Sequence, residues 1–437
     1  MLPLPRGVAL SLRERKAECA LDAVGISPRN LPSAILSRSE RAAFFESHRV
    51  PRRSKKSRDD DHLDDDFEDD FEDDDFEEND SEGESPSVGL PVRPHEQLLI
   101  DAIPELKGTR IVCTTAGRAQ FAETYARERS DAKVACCFFD LYQKNQSEFQ
   151  VFDHGPVENL RLLCKPDLPD GEFDVAAFAF RKGGDAELTR DLMQQGYQRL
   201  VEGGRMICST DNDEDQWLHE QLQNLFQKVT RRPVKKVGTL YLATKNGPLK
   251  KVKNYDFEFA FRDRGRLFKV FSRPGVFSHR RIDLGARTII NAMDVRPKMK
   301  VLDMGCGVGT VSLAAAARAE KVTVMALDSN PRAIQCTQHN AELNGLTNIT
   351  AILDCEGASA STGDFDLVLA NPPYFSDFAI AELFLDTAYR ALKPGGLVQV
   401  VTKTPNWFLE RMPLWFIHLS ETEAKDYRLV SGRKPRP

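Results

Sequence analysis

Four segments of this chain recur at a nearly fixed spacing, and that recurrence limits the fold more than any single motif does. Ile111-Val112-Cys113 returns as Val301-Leu302-Asp303 at an offset of 190 residues, and Asp140 returns as Asp328 at 188. Gly171-Glu172-Phe173-Asp174 returns as Gly363-Asp364-Phe365-Asp366, and Leu200-Val201-Glu202-Gly203-Gly204 as Leu392-Lys393-Pro394-Gly395-Gly396, both at 192. So small a drift across four segments predicts two copies of one fold.

The second copy alternates short apolar runs with helix-sized stretches. Its pattern predicts strands near 300–303, 322–327, 349–353, 365–369 and 397–402, and helices near 310–319, 331–344 and 378–392. Pro331 suits a first helical turn, Gly345 ends that helix, and Gly395-Gly396 turns the last helix into a strand. Alternation at this spacing predicts an α/β fold built on a doubly wound sheet, whose parallel strands are buried on both faces.

Three of the apolar runs end in polar or Gly-rich corners, where such a sheet holds its ligands. At the first, Asp303-Met304-Gly305-Cys306-Gly307-Val308-Gly309 lets the backbone turn tightly and approach a ligand. The spacing is D-x-G-x-G-x-G, and Thr310 stands where a dinucleotide-binding turn has its third glycine. At the second, Asp328 ends the next run, where a carboxylate accepts hydrogen bonds from the two hydroxyls of a ribose. The third is Asn371-Pro372-Pro373-Tyr374. Its Asn amide oxygen and Pro372 carbonyl, on backbone fixed by two prolines, can both accept from one NH2 group, and Tyr374 offers a flat face to a planar ring. A planar exocyclic amine is a poor nucleophile because its lone pair is delocalised. Two acceptors on its hydrogens draw it toward a pyramidal, reactive geometry.

Only the second copy keeps the first and third corners, although Asp140 stands in the first copy at the position of Asp328. At the positions of Asp303, Gly305, Gly307 and Gly309 the first copy has Cys113, Thr115, Gly117 and Ala119. At those of Asn371 to Tyr374 it has Ala179, Phe180, Arg181 and Lys182. The first copy is therefore expected to keep the fold without the chemistry of these corners, with Arg181 and Lys182 placed to hold RNA instead.

Together the three corners resemble the class I S-adenosylmethionine-dependent methyltransferases that act on planar amino nitrogens. The upstream segments Arg273-Pro274-Gly275-Val276-Phe277-Ser278 and Ile282-Asp283-Leu284-Gly285-Ala286-Arg287 narrow this to the bacterial ribosomal RNA guanine-N2 methyltransferases, whose duplicated architecture has a degenerate first half. The resemblance covers about 340 residues. It implies two tandem Rossmann-like class I methyltransferase domains, the first degenerate (residues 91–250) and the second catalytic (251–437), behind an acidic tail (1–90). It implies S-adenosylmethionine as cofactor, bound by Asp303, Gly305, Cys306, Gly307, Gly309, Asp328, Asp354, Cys355, Asn371 and Phe277. Asp328 would hold the ribose, and Asp354 with the Cys355 backbone would receive the adenine amino group. Asn371, Pro372, Pro373 and Tyr374 would hold and stack on a flipped guanine, catalysing by orientation without a covalent intermediate or a dedicated general base. Tyr374 is a departure, because the guanine-N2 enzymes usually have Phe there. Adenine-N6 and protein glutamine-N5 methyltransferases, and a ribosome-assembly module that binds the cofactor without turnover, are the alternatives.

Composition supports an RNA partner. Between Asp59 and Glu84 the chain has 18 acidic residues and no Lys or Arg, next to a basic run from Arg49 to Arg58. A run of this kind repels itself and stays solvated, so residues 1–90 are expected to be a disordered tail. Without those 18 acids the formal net charge of −6 becomes +12. Residues 228–300 hold 20 Lys or Arg against five acids, an electrostatic footprint for a phosphate backbone. The nine cysteines show no C-x-x-C or His-paired spacing, which predicts reduced thiols, no metal and a cytoplasmic location. No run approaches the length of a membrane span, and a monomer without membrane contact is expected.

Overall fold

The computed structural model describes residues 90–373 and 378–437. The acidic and basic runs and Tyr374 lie outside the described residues.

Two seven-stranded sheets share one strand order, and both belong to one compact unit. In the first sheet the strands are β1 (Arg110–Thr114), β2 (Lys133–Phe138), β3 (Leu160–Cys164), β4 (Phe173–Phe180), β5 (Leu200–Thr210), β6 (Val229–Val234) and β7 (Gly238–Thr244). A hairpin of β8 (Phe257–Asp263) and β9 (Arg266–Ser272) comes next. The second sheet comprises β10 (Lys300–Met304), β11 (Thr323–Asp328), β12 (Ile349–Leu353), β13 (Phe365–Ala370), β14 (Leu392–Thr402), β15 (Ile417–Ala424) and β16 (Tyr427–Arg433). Its order is β12-β11-β10-β13-β14-β16-β15, and the first sheet runs β3-β2-β1-β4-β5-β7-β6. The chain thus carries two tandem Rossmann-like folds, as the repeat predicts.

The elements arise from their side chains. Val301 and Leu302 are both fully buried but belong to separate clusters on the two faces of the sheet. The helix Thr310–Ala317 is buried along almost its whole length. Its four alanines let it lie close over the sheet at little cost in side-chain entropy. Asn330 caps the helix Pro331–Leu343, accepting from the amide of Arg332 at 2.8 Å, with Pro331 in the first turn.

Two features depart from the sequence expectation. Strand β14 begins at Leu392, not near residue 397, so Gly395 and Gly396 sit inside it. Leu392 pairs with Phe365 and Leu397 with Leu367, so the glycines form an irregularity that re-registers the strand. The antiparallel pair β15–β16 and its counterpart β6–β7 go beyond the expected strands; β15 is polar and exposed along most of its length.

Candidate functional site

Register brings the three corners together. Met304 pairs with Leu327 on one side and with Ala370 on the other. The next residues in each strand's exit, Gly305, Asp328 and Asn371, therefore meet at one edge. A Cβ added to Gly305 would lie 4.0 Å from the Asn371 carbonyl oxygen and 3.5 Å from Phe384. The crevice opens between β10 and β13, where the chain reverses its direction of progress through the sheet, which is the binding position in open α/β folds.

The Gly-rich loop is shaped from three directions. The amides of Gly305 and Cys306 donate to the Leu327 carbonyl at 2.9 and 3.0 Å. Thr337 and Asn340, fully buried on the helix Pro331–Leu343, donate to the carbonyls of Gly307 and Val308 at 3.0 and 2.9 Å. These bonds turn the loop carbonyls toward the protein. Gly309 has φ +84°, and a Cβ there would lie 2.8 Å from Thr337 Oγ1. Gly307, at φ +54°, would meet nothing within 4 Å, so the loop faces open space there.

Asp328 joins the loop to the next helix. Its Oδ2 accepts from the Gly307 amide and its Oδ1 from the Asn330 amide, both at 2.9 Å. Burial pushes its carboxyl up to about 6 against the pull of those amides, and the nearby Asp140 adds to the rise. Asp303 is buried and faces inward, accepting from Ser312 Oγ at 2.5 Å, and burial raises it to about 7. Asp303 thus ties strand to helix and does not reach into the crevice.

At the third strand's end, Asp354 accepts from the amides of Glu356 and Gly357 at 2.8 Å each and of Ser359 at 2.7 Å. Burial works to raise this carboxyl, but those bonds and the Ser359 side chain hold it below the usual range. Cys355 is half-buried beside it, and its thiol is pushed up to about 11 by burial. Cys306 is buried in the loop, its thiol raised by burial and lying 3.5 Å from Thr337 Oγ1. Asn371 is half-buried and its Nδ2 donates to Asp283 Oδ2 at 2.9 Å. Pro372 is buried and Pro373 half-buried. Phe277 stands 71% exposed on the segment after β9. That segment is pinned beside Asp328 by Asn330, whose Nδ2 donates to the Gly275 carbonyl at 2.7 Å.

The first copy closes its own loop. Glu96, fully buried on the helix Pro94–Asp101, accepts from Thr115 Oγ1 at 2.8 Å, the Ala116 amide at 3.0 Å and the Phe121 amide at 3.2 Å. The corresponding position in the second copy is Ala286, 190 residues on. Ala119 takes φ +64° where the second copy has Gly309.

The first copy also buttresses the second. Ser329 donates to Asp140 Oδ2 at 2.6 Å, the Leu141 amide donates to the Ser329 carbonyl at 2.9 Å, and Asn145 lies 3.6 Å from Cys355 Sγ. Arg332 is fully buried between the copies, donating to the carbonyls of Pro166 and Pro274 at 2.7 and 2.8 Å and to Asp191 Oδ2 at 2.6 Å. No motif signals Arg332, Thr337 or Asn340.

Much of the basic span is internally paired. Arg232 binds Glu105 at 2.6 and 2.9 Å, Arg273 binds Asp167 at 2.6 and 3.0 Å, and Arg280 pairs with Glu187. Arg231 donates to the Asp213 carbonyl at 3.1 Å. Lys235 and Lys236 on the β6–β7 turn, and Lys250, Lys251 and Lys253 beyond it, are exposed. Among the described residues no helix is long and apolar enough to cross a membrane, and no group of three His, Cys, Asp or Glu is placed to hold a metal.

Comparison with known proteins agrees with this geometry. Residues 267–428 match the family model of the methyltransferase small domain. The ribosomal RNA small subunit methyltransferase C of Pseudomonas entomophila is 33% identical over 150 residues, which span 33% of this chain and 44% of that protein. The chain spans about half or less of the length of the relatives that carry this description. An uncharacterised protein of Bacillus subtilis, YbxB, is 28% identical over 190 residues, covering 42% of this chain and 94% of that one. Among solved structures, the T. thermophilus 16S rRNA N2 guanine methyltransferase, in complex with AdoMet and guanosine, superposes with a TM-score of 0.62 at 18% identity. That match covers 78% of this chain and 93% of the other, and it shows the shared fold of both halves.

Proposed function

We infer that this chain is a ribosomal RNA guanine-N2 methyltransferase, transferring a methyl group from S-adenosylmethionine to the exocyclic N2 amine of a guanine in ribosomal RNA. The observation that carries the reading is the meeting of Gly305, Asp328 and Asn371 at one sheet edge. S-adenosylmethionine supplies an electrophilic methyl on its sulfonium. The residues present fit it: the loop faces open space at Gly307, and the Asp328 carboxylate stands beside it at the end of the neighbouring strand. Gly305 to Gly309 would cradle the donor, Asp328 would accept from its ribose hydroxyls, and the Asp354–Cys355 corner would border its adenine. Asn371 Oδ1 and the Pro372 carbonyl accept from the target amine and aim its lone pair. Transfer of methyl from labelled S-adenosylmethionine to purified ribosomal RNA tests the proposal; a chain that binds the cofactor and labels no RNA contradicts it.

The raised carboxyl of Asp328 gives this site a pH signature. Below about 6 it holds its proton and loses an acceptor for the ribose hydroxyls. Cofactor affinity should rise with pH through about 6 and level off near pH 7, as read by calorimetry between pH 5 and 8. A flat profile would remove Asp328 from the ribose. Stability runs the other way. The folded state keeps protons on Asp328 and Asp303 that the unfolded chain releases near pH 4. Their contribution therefore falls as pH climbs from there to about 6 and about 7 respectively, then levels.

The first copy positions the RNA in this proposal, through exposed lysines and not through Arg231 and Arg232, which are engaged within the protein. Reversing Lys235 and Lys236 to Glu should weaken RNA binding and lower its salt slope by about two, with the melting temperature unchanged. Unaltered RNA affinity would leave the first copy as a scaffold only. The proposed site of action is a ribosomal subunit or its RNA.

A further inference from the structure

We propose that Asp283 is a positioning residue for methyl transfer, holding the Asn371 amide with Oδ1 turned toward the target amine. The proposal rests on the function inferred above and deepens it. Asp283 caps the helix Leu284–Ala292, its Oδ2 accepting from the Ala286 amide at 2.8 Å. The same oxygen accepts from Asn371 Nδ2 at 2.9 Å. A primary amide is planar, with its oxygen and nitrogen on opposite sides of the carbonyl carbon. Once Nδ2 is committed to a carboxylate, Oδ1 is directed away from it. The reversed amide would set Oδ1 against the carboxylate, acceptor against acceptor. An unheld asparagine could present either group, and the NH2 end would repel the hydrogens of the substrate amine.

Gly285 makes the contact possible. A Cβ there would lie 2.8 Å from Asp283 Oδ2 and 3.0 Å from both Asn371 Nδ2 and Oδ1. Any side chain would wedge the asparagine off its partner. The first copy gives an internal comparison. Its helix starts 190 residues earlier, and there Arg93 replaces Asp283, with no side-chain cap, and His95 replaces Gly285. Ala179 stands at the position of Asn371. The copy without the amine acceptor has therefore also lost the carboxylate and the glycine, as expected if the three residues serve one task.

Capping and positioning can be separated. Asp283→Ser keeps a good helix cap but is too short to reach Asn371, whereas Asp283→Asn keeps an acceptor for both partners. For Asp283→Ser we expect single-turnover methyl transfer to fall about 10²-fold, the scale of a small misplacement. Cofactor affinity and melting temperature should not change, and Asp283→Asn should keep most of the rate. In protein labelled with 15N-asparagine, the Asn371 side-chain amide should exchange faster with solvent in the Ser variant than in the wild type. A Ser variant with wild-type rate, or one whose Asn371 amide is neither shifted nor accelerated, would overturn the assignment. The two readings fail separately. A wild-type chain that methylates no ribosomal RNA defeats the proposed function, while the amide signal still reports whether Asp283 holds Asn371.

Discussion

Replacing Asn371 with alanine should lower methyl transfer by about 10²–10³-fold, the scale for losing one preorganised hydrogen-bond partner. Cofactor affinity should remain nearly intact. Asn371 comes directly after β13 and its side chain turns to Asp283, whereas Asp328 and the Gly loop sit at the ends of β11 and β10. The acceptor side and the donor side of the crevice are thus built from different strands, and a change at one need not disturb the other. The expected kinetic pattern is a fall in kcat with little change in the KM for S-adenosylmethionine. Near wild-type turnover in this variant would exclude Asn371 from the chemistry. Weakened cofactor binding would move it to the donor side.

Arg332→Met should destabilise the folded chain by about 3–5 kcal/mol, the usual cost of breaking a buried pair on one side. The guanidinium is fully buried, makes three hydrogen bonds to both copies, and lies 5.0 Å from the Phe139 ring centre. Met keeps most of the volume but leaves two carbonyls and Asp191 short of a donor. Chemical denaturation of the whole chain measures the loss. Adding Asp191→Leu to Arg332→Met should recover a large part of it, because an apolar pair of similar size removes the uncompensated charge. A single variant as stable as the wild type would show that the copies are held together elsewhere.

The corner residues were legible because each ends an apolar run, and a buried parallel strand delivers the residue at its carboxyl end to the sheet edge where ligands bind. Asn371, Asp328 and the three glycines were read from that pattern alone, and β10, β11, β12 and β13 lie where it predicts. The residues that shape those corners were not legible. Thr337 and Asn340 act across about 30 residues of sequence, and on a helix they read as an ordinary polar face. Glu96 reads as one acid in a short helix until the fold sets it over the first copy's loop. Counting charge also misled: composition registers Arg232, Arg273 and Arg280 as a free basic stripe, whereas each is matched to a carboxylate elsewhere in the chain. The pair β15–β16 escaped because β15, the edge strand, has no apolar alternation to mark a buried face.

Nucleoside mass spectrometry after reaction with methyl-labelled S-adenosylmethionine and deproteinised ribosomal RNA tests the central claim most directly. The account predicts label in N2-methylguanosine with the wild-type chain and its loss with Asn371→Ala. Label in N6-methyladenosine, or label on protein and none on RNA, would contradict it.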